Sequence, residues 1–470
     1  MKLFRFLFLL CFPFVFNAQV TKPNVVFLLV DDVGWGDFGC YGSQFYETPN
    51  IDKLASQGML FNNAYAACTV CSPSRAAILT GCYPARLHLT DWIAGHKRPY
   101  DKLAVPDWKM KIDHERTVLP EAMKEAGYTT AFFGKWHLMP EGQADFDQHY
   151  PTDHGFDTNV GGRDWGQPKG PGKYFSPFDM PNLADGKPGD YLTNRLTDAA
   201  VDFLDKTKKD KPFLLYFSYY TLHGPLMAPP ELVEKYKKKA ENFENPKDEF
   251  LNFARAGMVE SLDKSVGRIM DKLKELGIED NTIIILTGDN GGDNSKTTGG
   301  LKGYKGLSYE GGVREPFMVK WNNKIKAGTK SDEMVIGTDI YPTILDMAGL
   351  SLRPEEHKDG ISILPVLTGE FSKLGRDVLF WHYPHYHRTN PYGAVRHGDW
   401  KLIEFYEDGA LELYNLKVDP KEENNLATTE KSKAKQLLKE LQAWRKSVDA
   451  QMPTPNPNYD PAKVDKKKAY

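Results

Sequence analysis

Cysteine is scarce in this chain, five residues in 470. So few cannot build the dense disulfide framework of a small secreted domain, and a chain of this length does not need one. An excess of one charge is also missing. Sixty basic residues stand against 63 acidic ones, for a net charge of −3. That balance argues against nucleic acid as the main partner, while leaving room for a locally basic pocket around an anionic substrate. Beyond the first eighteen residues no apolar run is long enough for a membrane helix, and no internal repeat is apparent. What remains is a chain with 41% hydrophobic residues, enough to pack one large domain and a smaller one.

The start reads as an export leader. Lys2 and Arg5 precede a nearly unbroken apolar run, Phe6 to Phe16, and cleavage is expected after Ala18. Cys11 lacks the small preceding residue of a lipoprotein signal, so no lipid anchor is expected. The mature chain is expected in the periplasm or secreted. It keeps Cys40, Cys68, Cys71 and Cys82, some of which could pair in an oxidising compartment.

Four apolar, β-rich runs read as strands buried on both faces of a parallel sheet: Val25–Val30, Thr129–Phe133, Pro212–Tyr220 and Asn281–Thr287. Each is followed by polar groups. Asp31-Asp32 follow the first, Lys135 and His137 the second, His223 the third, Asp289-Asn290 the fourth. In open α/β sheets ligands gather at the carboxyl ends of strands. An Asp pair there is often only a turn or cap, and a lone Lys or His a satisfied loop residue. Four clusters on the same kind of strand end can converge on one site.

Helices are expected between the strands, over Thr48–Ser56, Thr117–Ala126, Tyr191–Leu204 and Ala254–Leu276. Met59-Leu60-Phe61 and Ala64-Tyr65-Ala66 read as a path into the Cys71 loop. A further strand, Phe317–Trp321, and a short helix, Thr338–Ala348, follow. The pattern predicts an α/β fold, a large doubly wound, mixed but mostly parallel sheet flanked by helices. Residues 140–190, rich in Gly, Pro and Asp, are expected to cross the active face, anchored by Phe156, Trp165, Tyr174 and Phe175. Residues 19–369 are assigned to this domain. Residues 370–452 read as a smaller C-terminal domain, with a short antiparallel sheet and a helix over Lys431–Val448. The tail, 453–470, is expected to lie loosely.

The stretch around which the rest is organised is Cys71-Ser72-Pro73-Ser74-Arg75, followed by Leu79-Thr80-Gly81. Pro73 predicts that a helix opens there, with Ser74 and Arg75 in its first turn. A group at that helix mouth meets unpaired N–H groups and the positive dipole end, a seat for an anion. Taken alone, the Cys could be structural. The full string resembles the signature of the formylglycine sulfatases, and the resemblance runs from about Asn24 to about Pro457.

That resemblance implies that Cys71 is oxidised to formylglycine by a formylglycine-generating or anaerobic sulfatase-maturating enzyme. One hydroxyl of the hydrated aldehyde would attack the sulfate ester, and the other would later expel the sulfate. It implies one Ca²⁺ held by Asp31, Asp32, Asp289 and Asn290 together with the group derived from Cys71, hard oxygen donors suited to that ion. Arg75, Lys135 and Lys305 would surround the sulfate, His223 would protonate the leaving oxygen, and His137 would act as the base. The substrate implied is a sulfated polysaccharide or its oligosaccharides. A formylglycine-dependent phosphoester or phosphonate-ester hydrolase is the alternative enzyme. A carbohydrate-binding protein with unmodified Cys71 is the alternative of another class.

One more tract stands out, Trp381-His382-Tyr383-Pro384-His385-Tyr386-His387-Arg388. Aromatic rings stack on sugars, and His and Arg bind hydroxyls or a second anion. His382, His385, His387 and Arg388 are therefore candidate sugar contacts, against the plainer reading of a loop packed on the large domain.

Overall fold

The structure is a computed structural model that describes residues 22–208, 211–245 and 250–464. The leader expected over residues 1–18 lies outside the described residues. Fourteen strands are described: β1 Asn24–Val30, β2 Met59–Tyr65, β3 Leu103–Ala104, β4 Thr129–Gly134, β5 Thr158–Val160, β6 Phe213–Ser218, β7 Thr282–Gly288, β8 Phe317–Trp321, β9 Thr329–Ile336, β10 Val378–Tyr383, β11 Tyr392–His397, β12 Trp400–Phe405, β13 Leu411–Asn415 and β14 Thr454–Pro455.

Eight of them form one sheet in the order β5-β4-β6-β1-β7-β8-β2-β9. Strands β5, β4, β6, β1 and β7 run parallel to one another, β8 runs antiparallel to both β7 and β2, and β2 pairs parallel with β9. Successive side chains of a strand face opposite ways. Accordingly Val26, Leu28 and Val30 enter one core with the helices Pro49–Gln57, Leu192–Asp205 and Phe253–Glu275. Val25, Phe27 and Leu29 enter another with Cys71–Thr80, Leu119–Glu125 and Ile340–Met347. Apolar side chains on both faces explain why these strands are nearly continuous hydrophobic runs. The expected mixed, mostly parallel sheet with flanking helices is what the chain forms.

β10 to β13 make a separate antiparallel sheet, packed on the helix Lys431–Ser447. This unit leans on the segment that leads to Cys71. Trp381 Nε1 donates to the Ala66 carbonyl at 2.9 Å, and the Thr69 and Tyr392 hydroxyls are 2.7 Å apart. The described part of the tail, through Val464, is less loose than its composition implies. β14 pairs with β3, and Asn456 Nδ2 donates to the carbonyls of Pro99 and Asp101. Cys40, Cys68, Cys71 and Cys82 all carry free thiols, with no disulfide among the described residues.

The helix after Val70 begins two residues earlier than Pro73 predicts, at Cys71 itself. It is buried on every side and ends at Gly81, whose φ of 64° closes the last turn. A side chain could not replace that hydrogen, since a Cβ there would stand 2.3 Å from the Cβ of His357.

Candidate active site

The carboxyl ends of β4, β6, β1 and β7, four adjacent parallel strands, face the N-terminus of the Cys71–Thr80 helix. All ten residues expected to carry the chemistry belong to one cluster there. Asp31 Oδ2 accepts from Lys135 Nζ at 2.6 Å, and its Oδ1 lies 3.7 Å from Cys71 Sγ. Asp32 Oδ1 accepts from Lys305 Nζ at 2.6 Å and from Asn290 Nδ2 at 2.8 Å. Lys305 Nζ also lies 3.2 Å from Cys71 Sγ. Arg75 Nε donates to Asp289 Oδ2 at 2.8 Å, and its Nη1 reaches the Lys135 carbonyl and Ser218 Oγ. His223 Nε2 is 3.7 Å from Asp32 Oδ2.

Ionisation follows the crowding. Burial pushes the Asp32 carboxyl up, but Lys305, with His223 and Lys135, outweighs it and holds the group far below the usual range. Burial and the neighbouring Asp31 push Asp289 up against the pull of Arg75. Burial pushes the Cys71 thiol up to about 11. It pushes His137 well down, with Lys135 adding to the effect. His223 falls to about 4, from burial and then Lys305. Three carboxylates this close repel one another and need nearby positive charge.

Two backbone conformations are costly. Asp32 and His137 have φ of 53° and 60°, the left-handed region that side chains disfavour by about 1 kcal/mol or more. Both turn a side chain back into the cluster at a strand end. Strain of this kind persists only where surroundings fix it.

The donor set fits a hard divalent cation. Asn290 Oδ1 is buried with no hydrogen-bond partner among the described residues, although its Nδ2 is fully used by Asp32 and the Gly291 carbonyl. A buried acceptor left in this state is unusual and calls for a cation or water. Ligand atoms of Asp31, Cys71 and Asp289 lie within 4.8 Å of one another, as do those of Asp32, Cys71 and His223.

The 140–190 segment does cross this face. Phe156, Trp165 and Tyr174 are buried, while Phe175 is half-buried. The Tyr174 hydroxyl lies 2.7 Å from the Tyr220 carbonyl and 2.8 Å from that of His223, holding the His223 loop. Gly166 passes so close to His137 that a Cβ would stand 2.6 Å from Cε1.

The four candidate sugar contacts separate. His387 and Arg388 lie beside Gly306, next to Lys305; a Cβ on Gly306 would stand 2.6 Å from His387 Cδ2. His387 Nδ1 is 3.0 Å from His96 Nε2, and Arg388 sits over the Tyr304 ring. His382 is corrected. Both its ring nitrogens are taken, by the Tyr406 hydroxyl and the Gln451 carbonyl, inside the C-terminal unit. His385 is corrected too, being buried against Thr90 and Asp91 with no face open to a sugar.

Two contributors escaped the sequence reading. Ser218 ends an apolar strand, the same signal that singled out Asp31, and could have been found. Ile93, whose carbonyl lies 2.6 Å from His137 Nε2, acts through its backbone and leaves no trace in residue type.

Known proteins agree with this architecture. The family described as Sulfatase matches residues 23–350, and the one described as N-sulphoglucosamine sulphohydrolase, C-terminal, matches residues 303–448. The chain is 33% identical over 380 residues to an N-acetylgalactosamine-6-sulfatase of Homo sapiens, covering 75% of this chain and 67% of that protein. It is 31% identical to a sulfatase of Formosa agariphila, covering 93% and 92%. Among solved structures, Ps i-CgsB in complex with k-i-k-neocarrahexaose superposes with a TM-score of 0.74 at 28% identity, covering 93% of this chain and 95% of that one. The family match spans most of the large sheet and every strand end of the cluster, so the chain belongs to the sulfatase family and is a sulfuric ester hydrolase.

Proposed function

We propose that this sulfatase removes sulfate from a sulfated polysaccharide or its oligosaccharides, with Cys71 converted to formylglycine and one Ca²⁺ at the acidic cluster. The observation that carries the reading is the placement of Cys71 at a buried helix N-terminus among three cationic side chains and four oxygen-donor residues. When present, the two groups supply a hydroxyl nucleophile and a divalent charge beside the sulfate. Asp31, Asp32, Asp289 and Asn290 would hold the ion.

The chain's own residues do the rest. Lys135, Lys305 and Arg75 offset negative charge that grows on the sulfonyl oxygens, where low dielectric strengthens them. His223 holds its Nδ1–H against the Gly224 carbonyl at 2.9 Å, so Nε2 is the nitrogen that faces the leaving oxygen, and it donates to that oxygen only when the ring is the imidazolium. Its side chain is 20% exposed whereas that of Lys135 is wholly enclosed, which puts the leaving group's exit on the histidine side. His137 offers a buried Nδ1 as base. His387 and Arg388, at the edge of the cluster beside Lys305, are the contacts for the rest of the sugar. Relatives and structural neighbours named for sulfated sugars or bound to a carrageenan-type oligosaccharide support that substrate class. No helix among the described residues is long and apolar enough to cross a membrane. Export to the periplasm or medium, and a dedicated oxidising enzyme for Cys71, complete the reading.

Two measurements test it. Peptide mass spectrometry across residue 71 should find the aldehyde in active protein. Aryl sulfate should turn over far faster than aryl phosphate. A fully active enzyme with an intact Cys71 thiol, or phosphate preferred to sulfate, would overturn it.

A further inference from the structure

The turn 90–96 belongs to no motif, yet it touches both ends of the reaction centre. Ile93 places its carbonyl 2.6 Å from His137 Nε2. A carbonyl can only accept, so the ring proton sits on Nε2 and the lone pair on Nδ1. Nδ1 is buried with no hydrogen-bond partner among the described residues. The N–H of the same residue donates to Ser72 Oγ at 3.1 Å, and Ser72 follows Cys71 in the helix. One residue thus spaces the base from the nucleophile's position.

Ile93 is held in turn by Asp91. The buried Asp91 Oδ1 accepts from the Trp92 N–H at 2.9 Å and from the Tyr383 hydroxyl at 2.5 Å, and the His96 N–H also bonds to this carboxylate. Beside it, His385 Nε2 lies 2.8 Å from Thr90 Oγ1. Tyr383 is the last residue of β10, so the clamp reaches in from the C-terminal sheet. Aspartate accepts several donors at once, which is how it fixes a tight turn.

We propose that Asp91 and Tyr383 are positioning residues for His137. They fix the turn that carries the Ile93 carbonyl, and that carbonyl selects the tautomer and aims Nδ1. When a hydroxyl of the reacting group gives up its proton, Nδ1 gains it while Nε2–H stays on Ile93, and the carbonyl faces the resulting imidazolium. The proton returns to water after sulfate has left. The inference rests on the reading of His137 as the base.

The test uses the full chain with unmodified Cys71 and ¹⁵N-labelled histidine, the His137 signals being identified by their loss in His137→Gln. In the wild type His137 should be a single Nε2–H tautomer. In Tyr383→Phe and Asp91→Asn a share of the Nδ1–H form should appear. In the matured enzyme the same variants should lose about 10- to 100-fold in kcat on an aryl sulfate with KM nearly unchanged. Tyr383→Phe deletes one oxygen, so it remains informative where Asp91→Asn fails to fold. An unchanged tautomer in the folded variants overturns the positioning role. Full turnover by matured His137→Ala would instead overturn the base assignment, a distinct result.

Discussion

Arg75 binds Asp289 through Oδ2 alone: Nε and Nη2 both lie 2.8 Å from that oxygen, while Oδ1 faces the Asp32 N–H at 3.3 Å. Asp289 therefore fixes the arginine and contributes to the acidic cluster at once. Asn290 is bonded to Asp32 and the Gly291 carbonyl through Nδ2 rather than to Arg75, and its buried Oδ1 has no partner among the described residues.

The pair gives a graded metal prediction. Metal analysis of the purified enzyme should find about one calcium per chain. Asn290→Ala should lose calcium and activity while leaving Arg75 in place. Asp289→Ala should lose both the ion and the arginine's anchor, and so lose thermal stability even in excess calcium. A chelator should lower the wild-type Tm and barely move that of Asn290→Ala, since only a ligand that binds the native state stabilises it. A zinc-loaded site with no calcium requirement would count against the ligand set, as zinc favours His and Cys.

The two histidines proposed as acid and base should separate by leaving group. His223→Ala should slow a sugar sulfate more than an aryl sulfate, because a phenolate departs with less proton help. A difference of about 10²-fold between the two substrates is within reach of general acid catalysis. His137→Ala should slow both alike, with a first turnover of phenol release faster than the steady state. Equal losses on both substrates for His223→Ala would remove it as the acid.

How much of this was legible in the sequence depends on the environment of each element. β1, β4, β6 and β7 are buried on both faces, so their apolar runs stood out and their polar ends marked the site. β2 carries Asn62 and Asn63 in mid-strand, and only its apolar ends were noticed, as a path into the Cys71 loop. β9 reads Thr-Lys-Ser-Asp-Glu before its apolar end and so carries no strand signal in its sequence. It is an edge strand, where polar and charged residues are tolerated. The helix start slipped from Cys71 to Pro73 because Pro is favoured at the first position, whereas here it sits third. The motif side chains stand out in the sequence because the chemistry they are proposed for requires their types. Ile93 was not, because any residue supplies a carbonyl.

Acid should weaken the fold through a histidine group in which His149 and His154 are buried and His114 is exposed. His114, His149 and His154 stack, with His149 Nδ1 3.2 Å from His154 Nε2. Burial, then His114 and His149, hold His154 down to about 3. A depressed histidine stays neutral when folded, while the unfolded chain takes a proton below about 6.5. Its contribution is thus intact above about 6.5 and is lost as pH falls toward 3. Between pH 7 and 5 the loss should be about 2 kcal/mol. His154→Gln keeps a polar side chain without the titration, so its stability in urea should fall less over that range. An identical acid slope in both proteins would defeat the assignment.

The last prediction turns on two histidines five residues apart. His387 is half-buried beside Lys305 and paired with His96, at the edge of the reaction centre. His382 is buried inside the C-terminal unit, its ring nitrogens bound to Tyr406 and Gln451. Composition could not distinguish them, because a His in an aromatic tract serves a core and a sugar site equally well. Function should. His387→Ala should cost kcat/KM on a sulfated oligosaccharide by about tenfold, the worth of one good hydrogen bond, and leave a small aryl sulfate nearly untouched. His382→Ala strands a hydroxyl and a carbonyl, so it should cost about 1–3 kcal/mol of stability and affect both substrates alike. Parallel loss on both substrates by a stable His387→Ala protein would move that residue from sugar recognition into the catalytic centre.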